Sequence, residues 1–373
     1  MKENSPGIYI HIPFCRSKCR YCDFTSYPGK LGYADAYMAC LYREIKFRSK
    51  ELKKYTFASV YIGGGTPSVI DEKYIAGCLR LLRQEYNLST DAEITVEMNP
   101  ESVTKEKVRV YKNAGVNRFS VGMQAASDRL LEELGRAHTV LDFKNACDIL
   151  SGENFNADIM IGLKGQTEED VQAAVRLAVE SGASHISVYA LTPEDGTPVY
   201  GDYLNGDLPD DDETAGFYEI CLRMLGEAGF ARYEVSNFAR DGKYSRHNMN
   251  YWMRGEYIGF GAAASSFMAG RRFTNTRDLD DYMKCILSSY YPVVDDERVS
   301  EEDAKFERVM LALRTTAGLD TVSYTKEFGT SFFTDFSAAV LKNADYLERK
   351  GDCIRIKDAY LYVQNKILVD FLE

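Results

Sequence analysis

Apolar positions along the chain switch between two periods. Alternation with a period of two marks short runs near residues 7–12, 57–62, 92–98, 117–123, 156–161 and 184–190. Helical spacing marks the stretches between them, near 32–51, 71–84, 104–113, 127–151 and 167–180. A β/α series of about six units predicts parallel strands joined by right-handed crossovers. A seventh strand-like piece, 232–238, follows a helical stretch near 212–228, and residues 239–275, rich in Gly, Asn and Arg, read as loops. From about residue 300 the pattern changes. EEDAKFERVMLALRTT is helical, further helices are expected near 320–328 and 334–349, and CIRIKDAYLYV reads as a short hairpin. The expected division is a barrel domain over 1–240, a connecting segment over 241–298, and a small, mainly helical α+β domain over 299–373.

The alternation also says what kind of α/β fold this is. Parallel strands covered by helices on both faces are apolar nearly throughout. Here Ile8, Ile10 and Ile12 oppose Tyr9 and His11, and Ile94, Val96 and Met98 oppose Glu93, Thr95 and Glu97. Phe119, Val121 and Met123 oppose Arg118, Ser120, Gly122 and Gln124, and Ile159 and Ile161 flank Asp158 on the other face. One face packs on helices and the other lines a polar lumen. An incomplete barrel with a ligand inside satisfies this pattern better than a flat doubly wound sheet.

Composition narrows the partners. The 373 residues carry 45 basic and 56 acidic side chains, a net charge of -11, which argues against a general binder of nucleic acid or anionic membranes. MKENSPGIYI lacks the apolar run of a signal peptide, and YIGFGAAASSFMAG, the longest low-charge stretch, is too short to span a bilayer. No integral membrane segment is expected. The nine cysteines are an odd number and mostly scattered, so a reducing cytoplasm is expected rather than a disulfide framework.

Three cysteines are not scattered. Cys15, Cys19 and Cys22 form C-x-x-x-C-x-x-C directly after the first strand, where α/β barrels place their chemistry. Clustered thiolates select zinc, copper or iron–sulfur clusters. Structural zinc takes four ligands, and a [4Fe–4S] cluster normally takes four thiolates, so three leave one iron open to an exogenous ligand. Buried free thiols or a zinc knuckle are the alternative readings. GGGTP, Gly63 to Pro67, follows the second strand and lacks the lysine of a phosphate loop. It is either a ligand cradle or a tight turn.

The cysteine motif, with Tyr21 just before its third cysteine, resembles that of the radical S-adenosylmethionine (SAM) superfamily. The resemblance implies a [4Fe–4S] cluster on Cys15, Cys19 and Cys22 whose open iron is chelated by SAM. It also implies SAM contacts from Tyr9, Tyr21, Gly64, Gly65, Thr66, Glu97, Gln124, Arg136 and Asp158. These last motifs, TVEMNP, FSVGMQ, LGRAH and NADIMIGL, are similar to one branch: oxygen-independent coproporphyrinogen III oxidases and HemW-type haem chaperones. The likeness runs over about residues 7–267.

Two features lean toward the chaperones. The oxidases have a fourth cysteine two residues after the third, where this chain has Phe24, and a long extension before the motif, where this chain has fourteen residues. HNMNYW, residues 247–252, resembles the chaperone signature H-N-Q-x-Y-W, with Met249 in place of Gln; Lys164 likewise stands where proline is usual. Neutral imidazole is a good iron ligand, and aromatic rings pack on porphyrins. His247 and Tyr251 are therefore the candidate haem residues, and a loop-capping histidine beside a Tyr–Trp pair is the other reading. The resemblance implies haem as cargo and a haem-acceptor protein as partner. Oxidative decarboxylation of porphyrinogen propionates is the alternative activity.

Overall fold

The computed structural model describes residues 5–372. Six strands follow the predicted series: β1 (Gly7–Ile12), β2 (Thr56–Gly64), β3 (Asn87–Met98), β4 (Arg118–Gln124), β5 (Phe155–Ile161) and β6 (His185–Ala190). Each pairs in parallel with the next. Their outward apolar residues, Ile10, Val60, Val96, Val121, Ile159 and Ile186 among them, are fully buried beneath the helices. The helices begin where local chemistry starts them. Thr139, Thr167 and Asp210 close reciprocal capping boxes at the heads of Val140–Ile149, Glu168–Glu180 and Asp211–Glu227.

Five stretches depart from the sequence expectation. The long helix expected over 127–151 is two, Asp128–Glu133 and Val140–Ile149. Gly135, at φ 69°, turns the chain left-handed after the first, and the capping box at Thr139 restarts it. The intervening loop carries Arg136 back into the lumen. The piece expected as one strand over 232–238 is a tight antiparallel pair, β7 (Ala231–Arg232) and β8 (Asn237–Ala239), with β8 running antiparallel to β6.

The expected loop region 239–275 is instead ordered. It holds a helix, α1 (Arg246–Trp252), and strands β9 (Tyr257–Phe260), β10 (Ser265–Met268) and β11 (Arg271–Asn275). β9 joins the free edge of β1 in parallel. With β12 (Val293–Arg298) the sheet reaches twelve strands, in the order β12-β11-β10-β9-β1-β2-β3-β4-β5-β6-β8-β7. It is a mostly parallel, incomplete barrel with antiparallel strands at both ends.

In the C-terminal part, the helix expected over 334–349 is two short ones, Phe332–Asp335 and Ser337–Lys342. The hairpin forms earlier than expected, between Leu347–Lys350 and Cys353–Ile356, around Gly351 at φ 63°. This part has its own apolar core, built on Val309, Leu313, Tyr324, Phe332, Ile356 and Phe371. No helix among the described residues is long and apolar enough to cross a membrane.

Candidate cluster and cofactor site

β1 delivers the cysteines. After Ile12 the chain makes a short parallel bridge, Phe14–Cys15 against Tyr27–Pro28, which closes the loop at its base. Cys15 is buried, Cys19 and Cys22 are half-buried, and all three border one cavity of about 500 Å³ inside the barrel. Tyr21 packs its ring against the group formed by Leu130, Leu131 and Leu134. Burial raises the Cys15 and Cys22 thiols, and negative charge on the neighbouring thiols raises them further. Three crowded thiolates therefore call for positive charge between them. Among the described residues no three His, Cys, Asp or Glu side chains are gathered closely enough to share a single ion. A cubane is wider than an ion and takes each thiolate at a separate corner, so this donor set fits a [4Fe–4S] cluster better than a zinc knuckle.

The glycine loop reaches the same place from β2. Gly64 sits at φ 121°, a region side chains rarely allow. A Cβ on Gly65 would lie 2.7 Å from the Phe14 carbonyl oxygen and 2.9 Å from Cys15 Sγ. The cluster loop packs directly on this backbone, and Thr66 Oγ1 lies 3.6 Å from Cys15 Sγ.

The predicted polar residues meet around the lumen. Glu97 accepts from the Tyr61 hydroxyl at 2.7 Å and from the Gly64 amide at 3.3 Å, and burial pushes its carboxyl up to about 7. Gln124 ends β4 at φ 66°, where the register with β5 slips, and this strained backbone points its side chain at the cavity. Asp158 accepts from Asn156 Nδ2 at 2.6 Å, and burial raises its carboxyl. Arg136 donates from Nη2 to Asn99 Oδ1 and to the Gly122 carbonyl, each at 3.0 Å, while Nη1 lies 3.6 Å from Cys19 Sγ. A carboxylate pair, amide donors and a guanidinium on one wet wall can hold the amino, carboxylate and hydroxyl groups of SAM.

Tyr9 is placed differently. Its hydroxyl bonds His11 Nδ1 at 2.9 Å, and it lines a second cavity of about 660 Å³. Asp23 and Phe24 border both cavities, so the two meet at the cluster loop.

His247, a candidate haem residue, is not a free imidazole. It is 1% exposed, with Nδ1 2.8 Å from Ser59 Oγ and Nε2 2.9 Å from the Tyr251 hydroxyl. Its ring stacks on Tyr61 at 5.2 Å, and burial lowers its pKa to about 3. The Glu93 carboxylate accepts the amides of Arg246 and His247, each at 3.0 Å, and so fastens the start of α1 across the bottom of the barrel. The motif's histidine is part of the floor. Its tyrosine, Tyr251, lines the second cavity.

Sequence reasoning gave no role to several residues that complete the lumen. Arg118 was placed inward, but nothing in its neighbours along the chain shows that it is 2% exposed with an unpartnered Nε. Tyr61, which holds Glu97, follows from strand register and from no motif, and Asn99, which holds Arg136, stands within TVEMNP although its role does not show there.

A three-cysteine loop over the mouth of an incomplete barrel, backed by a glycine edge and a polar lumen, defines a radical SAM protein. The Radical SAM superfamily model matches residues 9–178, and the HemN C-terminal domain model matches residues 299–359. A protein named heme chaperone HemW from Bacillus subtilis (strain 168) is 35% identical over 370 residues, 97% of this chain and 96% of that protein. HemW of Escherichia coli (strain K12) is 37% identical over 288 residues, covering 74% and 75% of the two chains. Among solved structures, the coproporphyrinogen III oxidase HemN of Escherichia coli superposes with a TM-score of 0.87 over 99% of this chain and 90% of that one, at 19% identity. This chain belongs to the HemW family. Family membership brings the [4Fe–4S] cluster and SAM, and the residues described here fit both.

Proposed function

We propose that this chain binds haem and passes it to an acceptor protein, with the cluster and SAM as its resident cofactors. Cys15, Cys19 and Cys22 hold the cluster. Gly64, Gly65, Thr66, Glu97, Gln124, Arg136 and Asp158 hold SAM along the lumen. When bound, these cofactors supply an electron and a cleavable sulfonium. The chain's own residues orient the ligand and keep Glu97 near its titration point.

The observation that carries the reading is the near full-length likeness to proteins named heme chaperones. Two local features support it. Phe24, 69% exposed, stands where a fourth cysteine accompanies oxidase activity in the resembling branch. A second cavity with aromatic and arginine walls opens beside the cluster loop, large enough for a small-molecule cargo.

The test is anaerobic reconstitution with iron and sulfide, then titration with haem and, separately, with coproporphyrinogen III. Stoichiometric haem binding, transfer to an apo-haemoprotein and no turnover of the porphyrinogen are expected. Multiple-turnover decarboxylation would overturn the reading in favour of the oxidase.

A further inference from the structure

Arg118 begins β4 with its side chain in the lumen, and it is 2% exposed. Among the described residues it makes no side-chain hydrogen bond and no ion pair, and its Nε is buried without a partner. Burying a charge unpaired is costly, so buried guanidiniums are nearly always answered by an anion. The other lumen cation, Arg136, is held by Asn99 and by the Gly122 carbonyl. The carboxylates on the lumen face are engaged elsewhere. Glu97 is taken by the Tyr61 hydroxyl and the Gly64 amide, Asp158 by Asn156, and Glu93 by the amides of Arg246 and His247.

The neighbours of Arg118 are hydroxyls with spare donors. Thr95 stands beside it in register, and its hydroxyl is also buried and unpartnered. Ser120, two residues along β4, lines the cavity. Its oxygen accepts from Asn156 Nδ2 at 2.8 Å, so its own hydrogen is free to donate. Register also fixes the depth. Thr95 and Arg118 form one layer, and Glu97 and Ser120 form the next, roughly 7 Å nearer the carboxyl ends of the strands at ~3.3 Å per residue. Gln124 and the cysteine loop lie at those ends. Arg118 is therefore a layer below the residues that hold SAM, with α1 fastened across the floor beneath it.

We infer that the lumen takes a second ligand beneath SAM, a small carboxylate bound by the Arg118 guanidinium and the Ser120 hydroxyl. A carboxylate meets the planar fork of a guanidinium with two parallel hydrogen bonds, which a spherical ion cannot do. The closed floor restricts the ligand to a few heavy atoms. The site lies inside the barrel, apart from the second cavity, and does not depend on haem carriage.

The test uses the full chain with its cluster reconstituted, titrated calorimetrically with acetate, acetamide and chloride, each with and without saturating SAM. Acetate should bind in both conditions. Acetamide, which keeps the shape without the charge, and chloride, which keeps the charge without the fork, should bind at least about tenfold more weakly. Arg118→Gln should weaken acetate binding by about ten- to a hundredfold, Arg118→Lys by less, and Ser120→Ala by about fivefold. Iron content and SAM affinity show that each variant is folded. Should Arg118→Gln lose its cluster, Arg118→Lys and Ser120→Ala decide alone. Parent-like acetate affinity in the folded variants, or equal binding of acetate and acetamide, would overturn the site. Acetate displaced by SAM would place the anion in SAM's own position and overturn it too. Chloride binding as tightly as acetate would mean an adventitious ion only.

Discussion

Arg136 donates from Nε to His138 Nδ1 at 3.3 Å, while His138 donates from Nε2 to the Met123 carbonyl at 3.1 Å. A carbonyl only accepts, so the proton lies on Nε2 and the Nδ1 lone pair faces the guanidinium. Burial and the charge of Arg136 lower the His138 pKa to about 4, which keeps that lone pair free at neutral pH. His138 therefore positions Arg136 for the lumen. Replacing Arg136 with Ala should weaken SAM binding by about ten- to a hundredfold, the worth of a charge-assisted bond of roughly 1.5–3 kcal/mol. His138→Phe removes one of several acceptors and should cost about fivefold. Equilibrium binding of SAM to cluster-loaded variants measures both. Parent-like affinity in Arg136→Ala would show that SAM lies elsewhere.

The cluster prediction concerns which thiols matter. Each of Cys15, Cys19 and Cys22 borders the lumen, and removing any one leaves a second iron without a protein ligand. Iron and sulfide content should collapse in each single Cys→Ala variant. Cys40, Cys78, Cys147, Cys221, Cys285 and Cys353 lie away from the cavity and should be replaceable without cluster loss. Full content in any of the first three would refute the ligand set.

These sites differ in how visible they are in the sequence. The barrel was legible because a period of two fixes which side chains share a face, and the outward set Ile8, Ile10, Val60 and Ile62 is buried as that rule requires. Glu97, Gln124 and Asp158 were legible as inward residues for the same reason. The strands after Tyr257 were not. They are short and rich in small residues, and Gly259 approaches Ser265 so closely that a Cβ would lie 2.3 Å from its carbonyl oxygen. His247 misled because a lone histidine shows nothing of what occupies its nitrogens. Its partners, Ser59 and Tyr251, come from a distant strand and from the next helical turn.

Acid should unfold the cluster-free chain cooperatively. All four histidines are buried and lowered: His11 and His138 to about 4, His247 to about 3, His185 well below its usual value, each chiefly by burial. The unfolded chain takes up these protons near pH 6.5 and the folded one does not. Stability from the neutral imidazoles is therefore complete above that pH and lost as pH falls. Glu97 and Glu234, both raised to about 7 by burial, act oppositely, favouring the fold as pH drops from 7 to their unfolded range. Four imidazoles against two carboxyls leave the histidine effect ahead between about pH 6.5 and 4.5, by on the order of 3 kcal/mol per pH unit. Below that only the histidine effect grows, at on the order of 4 kcal/mol per pH unit. Urea midpoints should fall steadily below about pH 6.5 and more steeply below about 4.5. A flat profile through pH 4 would contradict the neutral-histidine assignment.

Lys164 shares its carboxylate partner Asp202 with Arg20. Asp202 lies on the helix Pro198–Leu204 and is 7% exposed. It accepts from Arg20 Nη2 at 2.7 Å and from Lys164 Nζ at 3.0 Å. Arg20 belongs to the cluster loop, and it is also paired with Glu133 and bonded through its backbone amide to the Leu134 carbonyl at 3.0 Å. Asp202 thus ties the loop to the rim of the barrel. Removing a buried partner costs about 3–5 kcal/mol, but Arg20 is a third exposed, so solvent screening cuts this to roughly 1–2 kcal/mol. That energy should appear as loop opening. Asp202→Ala should release iron to a chelator several times faster than the parent, with SAM affinity little changed once the cluster is in place. Lys164→Ala should behave almost as the parent, because its ammonium is open to water and Asp202 keeps Arg20. Chelator kinetics on the three proteins decide the matter. Equal rates in the parent and Asp202→Ala would mean that the loop is held by its cysteines and the glycine edge alone.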